Sequence, residues 1–443
     1  MKIIILTVVL TASLSAQWKA GVASVEITPA GPVWMGGYAA RTKPSEGVRA
    51  PLFVKAIAFE DSRRERVVIV GADVIGWPRA VSERIAVAAL KQYSLERKQL
   101  LLNASHTHSG PVVWPNLSGM YPMNEQQRAD VEAFTNNLVE KTLDAIGAAL
   151  GRLAPAELVY STGTAKFASH RRLRQPDGSI QNAPNPGGPV DHTVPVLAVR
   201  APQGQLSALL FSYSCHNTTM TGQYYELHGD YSGFAQANIE KAHPGVIAVF
   251  ATACAGDQNP NPRGQREHVE AHGRELAAAV EAALAAPNPQ RITGPLRTGF
   301  IHTELSFQPF GPNDFAAERQ SENRYAAARA EAMLKLDAER RLPRRLHYPV
   351  QVIKLGTLGM VGLGGEVVVD YCLRLKRELA PGPLMVFGYS NDVMSYIPTA
   401  QQVAEGGYEA NESFIYYQQP APLAAKAEEE VVGAVKALWQ RVK

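Results

Sequence analysis

Short apolar runs alternate with longer amphipathic stretches along the chain, and this alternation limits the fold more than any other feature. Residues 66–72, 99–104, 194–199, 208–213, 246–251 and 351–355 read as strands, while 82–92, 124–150, 266–285 and the charged stretch 314–341 read as helices. Interleaved strands and helices favour an α/β arrangement over an all-α or all-β one. A last helix is expected over 423–442, entered through Pro422 and apolar along Val431, Val435 and Leu438. The Pro/Gly-rich segment 175–189 reads as a long surface loop, a type of segment that often carries function. With no internal repeat and no low-complexity linker, the expected architecture is a mixed sheet flanked by helices in one large domain.

Composition narrows the partners. The 443 residues are 46% hydrophobic and 19% charged, a balance that buries a large core. A net charge of +3 from 44 basic and 41 acidic residues gives no electrostatic footprint for nucleic acid, which is excluded as a partner. Cys215, Cys254 and Cys372 allow at most one bridge and no disulfide framework. At the N-terminus, Met1-Lys2, an apolar stretch over 3–10 and the small-x-small Ser13-Leu14-Ser15 form the pattern of a secretory signal peptide over 1–16. The remaining domain, 17–443, is then expected in the periplasm or outside the cell. No later stretch reaches the roughly 18 apolar residues of a membrane-spanning helix.

The histidines fall where strands end. His106 and His108 stand in SHTHSGP at 105–111, directly after the run 99–104. Residues two apart share a face of an extended segment, so both imidazoles can enter one pocket, or both can be satisfied within a polar turn. His216 follows the run 208–213, and CAGDQNPNP at 254–262 follows 246–251. Open α/β sheets bind ligands at such carboxyl ends. In the C-terminal third, an apolar, glycine-rich approach (VGLGG, 361–365) leads to Glu366, which faces a pocket or favours the dipole of the helix-like stretch behind it. Tyr396 and Tyr408 follow in a polar, tyrosine-bearing segment. His268 and His272 share a helix face without the H-E-x-x-H arrangement and are expected to be solvated.

In order, GVASVEITP (21–29), GGY (36–38), SHTHSGP, the His216 segment, GDQNPN (256–261), GGE (364–366) and the tyrosine-bearing end resemble the catalytic domain of the neutral/alkaline non-lysosomal ceramidases. The resemblance covers nearly the whole mature chain and omits that family's C-terminal immunoglobulin-like domain. It implies an amide hydrolase of lipid-like or small-molecule N-acyl substrates, in which zinc-activated water is the nucleophile. The zinc ligands it implies are His106, His216, Glu366 and Tyr396. His108 takes the place of a proton shuttle, Arg171 of a carbonyl-positioning arginine and Tyr408 of a second active-site tyrosine. Asn259 stands where the family carries a serine; it is no acyl acceptor but can donate a hydrogen bond to an oxyanion. Two alternatives remain: an amidohydrolase or esterase for a non-sphingolipid substrate, or a binding protein without catalysis.

Overall fold

Successive side chains of a strand point to opposite faces, so a run that is apolar throughout must be covered on both sides. The computed structural model, which describes residues 17–442, shows what covers them; the expected signal peptide lies outside the described residues. The main sheet contains β1 (Trp18–Glu26), β2 (Phe53–Asp61), β3 (Arg66–Ala72), β4 (Leu100–Ala104), β5 (Ala154–Thr164), β6 (Thr193–Arg200), β7 (Leu206–Tyr213) and β8 (Ile247–Thr252). Their order is β8-β7-β6-β5-β1-β2-β3-β4, with the short Gln290–Arg291 added beside β5. The sheet is antiparallel inside and ends at each edge in a parallel pair, β3–β4 and β7–β8. A second sheet follows, β9 (Leu296–Ser306), β10 (Arg345–Leu355), β11 (Leu358–Leu363) and β12 (Leu384–Phe387), in that order.

The alternation of each strand assigns its residues to separate cores. Val54, Ala56 and Ala58 of β2 pack with α1 (Arg79–Tyr93) and α2 (Glu125–Gly151), whereas Ile57 and Phe59 face the second sheet. On the other half, Val196, Phe211 and Phe250 meet α3 (Asp230–Ala242) and α4 (Arg266–Leu284), and Leu197, Leu210 and Val249 meet Ile353, Met360 and Phe387. The far face of the second sheet is closed by α5 (Val369–Glu378) and α6 (Ala427–Arg441). The layers are therefore helices, sheet, sheet and helices, a mixed α/β fold as expected.

Three local expectations change. The charged stretch 314–341 is two helices, Pro312–Glu318 and Arg324–Ala338, because Asn323 accepts from the amides of Tyr325 and Ala326 and starts the second one afresh. The last helix begins at Ala427; Leu423 instead forms a bridge with Phe307. The loop 175–189 includes part of a ribbon, Arg172–Arg174 against Ile180–Asn182.

β4 and β8 lie at opposite ends of the main sheet, yet their carboxyl ends meet. The Thr252 amide donates to Asn103 Oδ1 at 2.7 Å, Asn103 Nδ2 donates to the carbonyls of Gly388 (2.8 Å) and Thr252 (3.2 Å), and Thr252 Oγ1 donates to the Ala104 carbonyl at 2.9 Å. Gly71 of β3 comes so near β8 that a Cβ would collide with the Phe250 carbonyl. Replacing Asn103 by Leu leaves these buried backbone groups unpaired, at about 1–3 kcal/mol for each group that finds no other partner. Asn103→Leu should lower stability by about 3 kcal/mol in urea unfolding, whereas Val87→Ser, at a residue 69% exposed, should shift it by no more than about 0.5 kcal/mol.

Candidate metal centre and active site

With the two sheet edges joined, the turns after β4, β7 and β8 face one another. The chain leaves β4 through His106 with a positive φ of 59°, a conformation uncommon for a residue other than glycine. There His106 Nδ1 lies 2.6 Å from the Ile75 carbonyl. His216, after β7, holds the Ala255 carbonyl the same way, also at 2.6 Å. A carbonyl only accepts, so Nδ1 carries the proton on both rings and each Nε2 presents its lone pair inward. Glu366 enters from the second sheet through a two-residue parallel ladder with Tyr396. Its Oε2 lies 2.9 Å from His216 Nε2 and 3.2 Å from His106 Nε2, and the Tyr396 hydroxyl is 3.3 Å from His216 Nε2.

All four expected ligands are thus brought together and buried. Two inward imidazole lone pairs and a carboxylate oxygen in contact are mutually repulsive unless a cation lies among them, so the donor set fits a metal ion. Burial, reinforced by the Arg171 charge, pushes His216 down to about 4. Burial alone would raise Glu366, but its contacts with His106 and His216 outweigh it and hold the carboxyl well below its usual range. A neutral His216 and an ionised Glu366 are the protonation states a metal requires.

His108 is also close, with Nε2 3.1 Å from His106 Nε2 and the ligand atoms of His106, His108 and His216 within 4.8 Å of one another. It is held differently. Its Nδ1 has no partner, and its ring packs against Tyr38 at 4.7 Å over Gly37, where a positive φ and the imidazole leave no room for a Cβ. Burial, then the neighbouring His106 and His216, depresses its basicity well below the ordinary histidine value. This ring is free of a backbone carbonyl that would fix its tautomer.

Arg171 Nη2 donates to the Tyr396 hydroxyl at 3.1 Å, Nε to Glu409 at 2.7 Å and Nη1 to Asn259 Oδ1 at 3.3 Å. The Tyr408 ring lies 5.4 Å from that of Tyr396. Asn259 sits on a short strand, Gln258–Pro260, paired with Ala168–His170. Its Oδ1 faces Arg171 and Thr218, and its Nδ2 donates to Asn182 at 3.2 Å, so its established contacts position Arg171.

Several participants carried no sequence signal of their own. Glu409 bridges Arg171 and Arg172, each at 2.7 Å; Tyr417 donates to Glu366 Oε1; Tyr389 packs on His106 at 4.4 Å. Adjacency to Tyr408 was the only pointer to Glu409. The expectation of a solvated His268–His272 face fails at His272, which is buried, stacked on Phe167 at 4.4 Å and bonded to the Pro262 carbonyl. All three cysteines are buried free thiols.

A buried His-rich centre at the strand ends of a mixed sheet defines a candidate metal-binding site. The model for the N-terminal region of neutral/alkaline non-lysosomal ceramidases matches residues 18–303, and the chain belongs to this family of metal-dependent hydrolases. It is 24% identical to the neutral ceramidase of Mycobacterium tuberculosis over 455 residues, covering 84% of this chain and 70% of that one. The crystal structure of neutral ceramidase from Pseudomonas aeruginosa superposes with a TM-score of 0.75 at 22% identity, covering 96% of this chain and 75% of that one. A ceramidase complexed with C2 gives 0.74 at 21% identity, covering 97% of this chain and 76% of the other.

The arrangement predicts distinct metal contents. His106→Ala and His216→Ala should each lose bound metal by elemental analysis while keeping the wild-type circular dichroism, and His108→Ala should retain it. Stoichiometric metal in either of the first two would remove that residue from the ligand set.

Proposed function

We propose that the chain is an exported, zinc-dependent hydrolase of N-acyl amides, with N-acyl-sphingosine as the model substrate. The observation that carries the reading is the convergence of His106 Nε2, His216 Nε2 and Glu366 Oε2, with Tyr396 beside them and Arg171 directly behind. The names of the relatives support the ceramide-like substrate, and the signal-peptide pattern over 1–16 supports export. His106, His216, Glu366 and Tyr396 would hold the ion. Zinc in such a site supplies Lewis-acid chemistry, polarising a carbonyl and acidifying water.

The chain's own residues supply the rest. Arg171 is fixed by Glu409, Asn259 and the Tyr396 hydroxyl, and its guanidinium orients the scissile carbonyl and stabilises charge developing on that oxygen. Water adds to the carbonyl carbon, the C–N bond breaks, and the amine departs with a proton carried by His108, leaving a carboxylate. Because Asn259 offers no nucleophile, the pathway contains no acyl-enzyme. Tyr408 packs beside Tyr396, where its ring would help to confine the substrate.

Zinc-loaded protein should release fatty acid from N-acyl-sphingosine. His108→Ala should reduce kcat by roughly 10²–10⁴-fold, as expected when a proton-transfer group is removed. Absence of hydrolysis on any amide or ester by zinc-loaded wild type would end the proposal. Asn259→Ala should lower turnover by about 10²-fold through misplacement of Arg171, while Asn259→Ser, whose hydroxyl can still accept from Arg171, retains most activity. Rapid-quench mass spectrometry should find no acylated residue in the wild type; an acylated residue would refute direct water attack.

A further inference from the structure

Beside the centre lies a cavity of about 260 Å³, whose polar groups include Arg171, Asn182, Asn259, Asn261 and Arg263 and whose larger apolar surface includes Ala183, Pro184 and Pro260. Its size is slightly below the roughly 300 Å³ at which pockets for drug-sized ligands begin, and corresponds to about nine water-sized groups. A head group fits.

The charge of this cavity is unbalanced. No acidic side chain lines it. The Arg171 charge is met from behind by Glu409, which also binds Arg172, and Arg172 has Glu405 as a second partner. The His170 imidazole is backed by Asp257 at 3.4 Å. Arg263 has no such counterpart: among the described residues its contact is the Tyr38 phenol oxygen, 3.3 Å from Nη2, with no carboxylate at ion-pair distance. An arginine on a cavity wall without an acid, flanked by neutral amide side chains, suits a planar anion that accepts two parallel N–H bonds.

Resting on the amide-hydrolase reading, we infer that this cavity receives a carboxylate carried by the substrate a few atoms from the scissile amide, with Arg263 as its principal partner. The substrate class is then N-acyl amides with an anionic head, of which N-acyl amino acids are the simplest, in preference to neutral N-acyl amino alcohols.

Calorimetry on metal-loaded His108→Ala protein, chosen so that ligand is held without turnover, tests this. N-octanoylglycine is compared with N-ethyloctanamide, which replaces the carboxylate by a methyl group, and with N-octylsuccinamate, which places the carboxylate on the acyl side. N-octanoylglycine should bind about tenfold or more tightly than the neutral amide, the scale of a charge-assisted hydrogen bond, and more tightly than N-octylsuccinamate; tighter binding of N-octylsuccinamate overturns the assignment of the charge to the amine half. Adding Arg263→Gln should bring that ratio near one, and Arg263→Lys should leave it intermediate. Equal binding of all three ligands, or a ratio unchanged by Arg263→Gln in a variant with wild-type circular dichroism, overturns the inference. Hydrolysis by the His108-containing protein is measured separately: cleavage without anion preference refutes the cavity assignment alone, whereas anion preference with no cleavage of any amide refutes the hydrolase reading alone.

Discussion

The pairing of Asn103 with Thr252 ties the two ends of the main sheet together, and the centre depends on it. Each edge is a parallel strand pair whose turn carries part of the site: His106 and His108 follow one, His216 and the 254–262 turn the other. A flat sheet with eight strands in this order would hold those turns apart by several strand spacings of about 4.8 Å. The Asn103 amide replaces the missing ladder between β4 and β8, and the Gly388 carbonyl that it also binds fixes the segment after β12 between them. The second sheet is thereby seated where Glu366 and Tyr396 can reach the histidines.

Within the centre, backbone carbonyls do the chemical selection. Ile75 and Ala255 fix the proton on Nδ1 of each imidazole, and so turn Nε2 of each ring toward the centre. His108 lacks that restraint, which separates its proposed role from theirs although all three rings are neighbours. Arg171 is secured by a buried carboxylate that it shares with Arg172. Burying three charges together is tolerable because each oxygen of Glu409 has a guanidinium partner.

Much of the scaffold was legible in the residue pattern. Runs 66–72, 99–104, 208–213 and 246–251 are apolar on both faces because helices lie on one side and the second sheet on the other, and all four are strands within one or two residues. β1 and β9 were hidden because exposed residues such as Lys19 and Glu304 interrupt their apolar pattern. The fault in the 314–341 helix came from a local contest that composition does not reveal: Asn323 caps more strongly than the charged pattern propagates. His272 was misjudged because the helix around it is charged while its own face is covered by Phe167.

The sequence by itself determined the periodicities, hence the α/β layering, and the order of motifs that places this chain among the neutral/alkaline non-lysosomal ceramidases. Through the resemblance those motifs carry, it also named the residues of the centre, of which imidazole and carboxylate are usual zinc ligands and phenol a less usual one. Tertiary structure alone decided which of these groups meet, which nitrogen of each histidine faces inward, that Glu409 holds Arg171, and that Arg263 stands on a cavity wall without an acid. Those are properties of groups separated by tens to hundreds of residues, and they exist only once the edges of a sheet have been folded onto each other.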